Sequence, residues 1–166
     1  MSLKIISGDI TKFTTDAIVN AANTGLRQGG GVCGAIFNAA GARELQSACD
    51  DLAPIKTGEA VITPGFNLPA RYVVHTAGPV YNPKAKEESE RLLSDSYTNS
   101  LKVAKENNLS SIAFPLISSG IYGYPLEEAY KVAVDAIEKF LKIDDMDVYL
   151  VIFDERTLNY LTSTYR

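Results

Sequence analysis

The chain has 166 residues, of which 46% are hydrophobic and 22% charged. That is the size and composition of one ordinary globular domain, so residues 1–166 are expected to form a single unit. A disordered tail, a collagen-like repeat and a disulfide scaffold are excluded. Lys and Arg number 16 against 20 Asp and Glu, a net charge of −4. No duplex nucleic acid is therefore expected as a partner, since non-specific duplex binders carry a basic face. An anionic ligand remains open, because main-chain N–H groups bind anions without adding charge.

Cys33 and Cys49 are too few for a disulfide framework. With His75 as the one histidine, neither a metal nor a cofactor is expected. A reducing, cytoplasmic setting suits this cysteine usage. The start of the chain shows no signal-peptide pattern. The longest uncharged stretch, Asn107 to Leu126, is too rich in Ser, Gly and Pro to span a bilayer, so no membrane association is expected.

In chain order, the first expected strand is Leu3–Ser7, followed by Gly8-Asp9-Ile10-Thr11. Asp9 there reads as a turn cap, or as an acceptor for an amino group such as that of adenine. A second strand, Asp16–Asn20, is read from the apolar run Ala17-Ile18-Val19. After it comes the first chemically informative loop, Asn20-Ala21-Ala22-Asn23-Thr24-Gly25-Leu26-Arg27-Gln28-Gly29-Gly30-Gly31-Val32. Consecutive glycines cost backbone entropy on ordering. They make sense where a ligand must come close to the main chain, or where φ is positive. The helix that follows offers free N–H groups and the positive end of its dipole. Asn20 and Asn23 add amides suited to hydroxyls; the plainer reading is a flexible turn capped by the two asparagines.

That helix begins near Val32, with Ala35, Ile36, Ala39 and Ala40 on one face and Gly41 as its stop. A second helix is expected from Ala42 to Leu52, before Pro54, and further strands at Glu59–Thr63 and Tyr72–Thr76. His75 reads as a hydrogen-bonded structural histidine. Leu93, Tyr97, Leu101 and Ala104 mark a helix from about Glu87 to Glu106, which leads into a strand at Ser111–Pro115.

The second loop is Ile117-Ser118-Ser119-Gly120-Ile121-Tyr122-Gly123-Tyr124-Pro125. Its serines and glycines can form a nest of N–H groups around a phosphate. It is not a Walker A loop, and Gly-x-Gly-x-x-Gly occurs in neither loop, which argues against an NAD-linked dehydrogenase. Tyr122 is placed to cover a sugar or base face; Tyr124 reads as packing. A helix from Pro125 to Lys142, a strand at Asp147–Phe153 and a helix at Thr157–Ser163 capped by Asp154 complete the pattern.

This alternation predicts an α/β fold, a mixed and largely parallel sheet with helices on both faces. Ligands in such sheets bind beyond the carboxyl ends of the strands. The loops after Asn20 and after Pro115 are then neighbours, and two anion-binding loops side by side suit a ligand with more than one phosphate.

The chain resembles the macrodomain family, in particular its MacroD-like branch. The resemblance is carried by Gly8-Asp9-Ile10-Thr11, Asp16–Asn23, Gly29-Gly30-Gly31-Val32 with Gly34-Ala35-Ile36, His75–Tyr81, Ile112–Pro115 and Ile117–Pro125. It implies a three-layer α/β/α sandwich that binds ADP-ribose or O-acetyl-ADP-ribose, and ADP-ribosylated proteins as further partners. By matching positions, Asp9 holds the adenine amino group and Ile10 lines that pocket. Asn23 contacts the distal ribose, which Gly30, Gly31 and Val32 approach together with a phosphate. Ser118, Ser119, Gly120, Ile121 and Tyr122 wrap the diphosphate, and Phe153 lies beside adenine.

Some members hydrolyse esters on the distal ribose, either in O-acetyl-ADP-ribose or on acidic side chains of modified proteins. The MacroD-like hydrolases carry Asp after the Gly-Gly-Gly-Val run and His one turn later; here these positions are Cys33 and Phe37. Phe37 transfers no proton. Cys33 sits at a helix start, which favours a thiolate, but lacks an evident base. Asn20 and Asn23 are then the residues left to fix the sugar for a water held by the ligand's own phosphate. The expected function is ADP-ribose binding with hydrolysis of ester-linked ADP-ribose derivatives; the alternatives are a non-catalytic ADP-ribose reader and an ADP-ribose 1″-phosphate phosphatase.

Overall fold

The structure is a computed structural model and describes residues 2–164. In chain order the strands are β1 (Ser2–Ser7), β2 (Ala17–Ala22), β3 (Ala60–Pro64), β4 (Tyr72–Ala77), β5 (Ser111–Phe114) and β6 (Asp147–Ile152). The helices are α1 (Gly31–Ala40), α2 (Ala42–Asp50), α3 (Lys86–Glu106), α4 (Leu126–Leu141) and α5 (Glu155–Thr164). All six strands form one sheet in the order β1-β6-β5-β2-β4-β3. Every neighbouring pair is parallel except β3 and β4. The predicted mixed, largely parallel sheet is therefore present.

Strand side chains alternate between the two faces and so feed two cores. Ala17, Val19, Ile112, Phe114, Val148, Leu150 and Ile152 meet Leu93, Tyr97 and Leu101 of α3, Ala133 and Ile137 of α4 and Leu161 of α5. Ile18, Val73, Ala113 and Val151 meet Ile36, Phe37 and Ala40 of α1 and Leu45 and Cys49 of α2. Helices thus cover both faces, giving the three-layer α/β/α arrangement.

Most expected elements sit within a few residues of their predicted bounds. β2 runs on to Ala22, past Asn20, and β6 stops at Ile152, leaving Phe153 exposed. Pro125 caps α4 rather than opening it, because its ψ of 132° is extended. Asp154 does cap α5, accepting the Thr157 amide at 2.7 Å. Gly41, with φ of 109°, lets the chain turn directly from α1 into α2. A short 3-10 turn at Ile10–Lys12 has no counterpart in the sequence reading.

Candidate functional site

A cleft of about 580 Å³ lies at the carboxyl ends of the central strands. Its origin is topological. β2 and β4 pair over six residues, but β2 and β5 pair only at Ala17↔Ile112 and Ile18↔Ala113. Beyond that point β2 leads to α1 on one face, whereas β5 leads to α4 on the other. Neighbouring strands whose chains leave to opposite sides open a crevice at their ends.

The first loop forms one wall, with Asn23, Gly29, Gly30, Gly31, Val32 and Cys33 lining the cleft. Asn23 braces the loop from within. Its Nδ2 donates to Arg27 O at 2.9 Å, and its Oδ1 accepts the Arg27 amide at 3.0 Å. Gln46 of α2 ties the same loop down, donating to Leu26 O and accepting the Gln28 amide, each at 2.9 Å. Gly34 brings α1 close, since a Cβ there would stand 2.6 Å from Gly29 O. Gly31 has φ of +56°, a conformation that glycine alone enters freely. Gly30 is different: its φ is −89°, and a Cβ would meet nothing within 4 Å.

The second loop forms the other wall, with residues 116–122 lining the cleft. Ser118 adopts φ of +67° and is held there from behind. Its Oγ donates to Pro79 O at 2.8 Å, and its carbonyl accepts the Tyr124 amide at 3.0 Å. Gly78 makes room for this, because a Cβ would collide with Ser118 Oγ and Ile117 Cγ2. Tyr81 donates its amide to Tyr122 O at 2.9 Å, and the Tyr81 ring tilts against Tyr124 at 4.8 Å. Tyr124 is buried, as expected for a packing residue, and burial pushes its phenol up to about 12. Gly120 repeats the pattern of Gly30, with no positive φ and nothing within 4 Å of a Cβ. Among the described residues, the amides of Ser118, Gly120, Ile121 and Tyr122 have no main-chain acceptor. Ile121 is 93% exposed and Phe153 76%, apolar side chains standing free at the rim.

Two expected site residues lie in the adjoining turn instead. Asp9 follows β1, beside the end of β6, where Gly8 donates its amide to Ile152 O at 3.0 Å. Its Oδ1 accepts both the amide and the hydroxyl of Thr11, at 3.0 and 2.7 Å. The hydroxyl first and the amide second hold this carboxyl below its ordinary value, so it stays ionised. Asp9 is thus the turn cap that the sequence suggested, with its second oxygen clear of Thr11. Ile10 is buried with Ala22, Leu26 and Cys33.

Asn20 is not brought to the cleft. It shares strand parity with Ile18 and is buried under α1 and α2, with its Nδ2 3.0 Å from His75 Nδ1. Phe37 is packed in the same core, and Cys33 reaches the cleft with its Sγ 3.8 Å from Arg27 O. Among the described residues, no Asp, Glu, His, Lys or Arg lines the cleft. Its polar character comes from main chain, Asn23, Ser118, Ser119, Tyr122 and Thr157. No group of three or more His, Cys, Asp or Glu is placed to hold a metal among the described residues. No helix there is long and apolar enough to cross a membrane.

Sequence reasoning passed over Gly78, Leu116, Leu126 and Thr157, all of which line the cleft. They come from other strand ends and helix starts, so strand order was needed to find them. Gly78 left one usable signal, a glycine directly past an apolar strand.

Comparison with known proteins agrees with this architecture. The model of the family described as "Macro domain" matches residues 19–133. A Macro domain-containing protein of Lactiplantibacillus plantarum is 48% identical over 98% of this chain and 95% of its own length. The O-acetyl-ADP-ribose deacetylase of Escherichia fergusonii is 46% identical over 92% of this chain and 89% of its own. A glycine-to-valine mutant of the Oceanobacillus iheyensis macrodomain, solved with ADPR, superposes with a TM-score of 0.90 at 45% identity, covering 97% of this chain and 90% of that one. Fold, loop positions and sequence lead to one assignment: this chain belongs to the Macro domain family.

Proposed function

We propose that the cleft binds ADP-ribose. One observation carries this reading: two loops on opposite walls each present a glycine, Gly30 and Gly120, that neither backbone conformation nor packing requires. Close approach of a ligand to the main chain accounts for both. The unpaired amides of Ser118, Gly120, Ile121 and Tyr122 and the start of α1 take the diphosphate. Tyr122 and Asn23 flank the distal ribose. Phe153 stacks on adenine, whose amino group donates to the free oxygen of Asp9. The Oceanobacillus relative, solved with ADPR, supports the same ligand. Calorimetric titration with ADP-ribose tests the reading, with Gly120→Val as the control that blocks the cleft. Absence of binding by the native chain refutes it.

The absence of a carboxylate or imidazole from the cleft lining favours recognition over turnover. The protein then acts as a binding module for free or protein-linked ADP-ribose. Hydrolysis of ester-linked ADP-ribose is the second reading, supported by the relative named as an O-acetyl-ADP-ribose deacetylase. On this chain it rests on positioning alone: the amides orient the ribose ester, and a phosphate oxygen of the ligand holds the water. Such positioning accelerates intramolecular reactions by several orders of magnitude. Acetate release from O-acetyl-ADP-ribose at saturating protein separates the two readings, since a pure binder leaves the background rate unchanged.

A further inference from the structure

The hydroxyl of Tyr97 is the polar group that joins α3 to the second loop. Tyr97 is fully buried, with its ring tilted against Phe114 at 5.0 Å. Its hydroxyl donates to Pro115 O at 3.1 Å and accepts the Ile117 amide at 2.9 Å. These two groups flank Leu116, where β5 has ended and the loop begins. A strand edge leaving its sheet has a carbonyl and an amide to satisfy, and here one phenol satisfies both. The next turn is built on the same residue, with Ser119 Oγ donating to Leu116 O at 2.8 Å. The loop is thus held from beneath at its exit from β5, on either side of Leu116.

We infer that Tyr97 is a positioning residue for the ligand: its hydroxyl fixes the loop's exit from β5, so that the phosphate-facing amides are aimed before ligand arrives. This rests on the reading of the cleft as an ADP-ribose site. Tyr97 never touches the ligand; it acts through residues 115–117. Amides aimed in advance bind an anion without the cost of ordering a loop. A loop lacking the hydroxyl samples other exits from β5, and only a fraction of molecules is ready to bind.

The test compares the native chain with Tyr97→Phe, which keeps the ring and its packing. Titration with ADP-ribose well below both melting temperatures should show Kd raised at least about tenfold in the variant. A purely structural role lowers the melting temperature and leaves the Kd of the folded protein unchanged, and that result overturns the inference. Amide exchange on the native protein supplies the second measurement, decisive even if the variant does not fold. The Ile117 amide should be protected without ligand, while the amides of Gly120, Ile121 and Tyr122 gain protection only when ADP-ribose is added. Exchange of Ile117 at the rate of an exposed loop amide overturns the inference. A native chain that does not bind ADP-ribose overturns the site itself; a native chain that binds, with Tyr97→Phe binding equally well, overturns only the role of Tyr97.

Discussion

Asn20 Nδ2 donates to Nδ1 of His75 across 3.0 Å in the buried layer between β2, β4 and α2. The direction follows from the other side of the ring. His75 Nε2 lies 2.9 Å from Thr63 Oγ1, whose own hydrogen goes to Pro64 O at 3.1 Å. Thr63 must then accept from Nε2–H, which leaves Nδ1 as an acceptor. The imidazole is neutral, with Cys49 Sγ 3.8 Å from Nε2 as a further neighbour. Burial pushes the Cys49 thiol up to about 12, so it supplies no negative charge to the ring.

Stability should therefore depend on pH through His75. Burial lowers its pKa to about 4, from 6.5 when exposed. Between these values the unfolded chain binds more protons than the folded one, so stability rises with pH. The contribution is complete above pH 6.5 and is lost as pH falls toward 4. Its size is on the order of 3 kcal/mol. Urea unfolding measured from pH 7 down to about 4.5 should show this decline, and His75→Gln should flatten it. An equal slope in the variant assigns the effect elsewhere.

Gly120→Val should separate binding from folding. A Cβ at Gly120 meets nothing within 4 Å, so the melting temperature should change little, within the roughly 0.5 kcal/mol typical of surface changes. ADP-ribose affinity should fall at least about tenfold, because the branched side chain fills the space that the proposed reading gives to the diphosphate. Gly31 is a poorer test, since its φ of +56° strains any replacement.

Gly78→Ala should lower stability and affinity together. Its Cβ collides with Ser118 and Ile117, so overpacking costs roughly 1–3 kcal/mol of stability. The second loop shifts with it, and affinity falls as well. A variant with native melting temperature and native affinity contradicts the tight seat described for Ser118.

Asn23→Ala removes both bonds to the Arg27 main chain. Stability should fall by about 1–2 kcal/mol. Affinity for ADP-ribose should fall further than that for ADP, because the proposed reading sets this loop against the distal ribose. Equal losses for the two ligands would place Asn23 in loop bracing alone.

Cys33→Asp tests what the cleft lacks. An acidic residue in the first turn of α1 suits the helix dipole. It would also bring a carboxylate to the lining of a cleft that has none. Hydrolysis of O-acetyl-ADP-ribose should rise above the native level by about 100-fold or more, the range of a positioned general base. An unchanged rate shows that Cys33 serves packing only.

The sheet was readable because its central strands are continuous apolar runs, and both loops because their glycines and serines break those runs. Ala17-Ile18-Val19 marked β2, and Gly41 marked the end of α1. Side-chain direction was harder. Asn20 and Asn23 read alike as loop amides, yet β2 continues through Ala22 and turns Asn20 into the core toward His75. Strand parity with Ile18 held that information, but only once the strand's length was known. The roles of Gly78 and Tyr97 stayed hidden for another reason. Each acts on the second loop from a different element, and only the packed sheet brings them together.

The described lining of the cleft carries no ammonium or guanidinium group, which bears on how the proposed binding of ADP-ribose responds to ionic strength. Lysine-lined sites lose grip in brine, because salt competes for their charges. Main-chain amides carry only partial charges, so salt weakens their hold on an anion less steeply than it weakens a lysine's. Affinity for ADP-ribose should therefore fall less steeply with sodium chloride than that of a lysine-lined site.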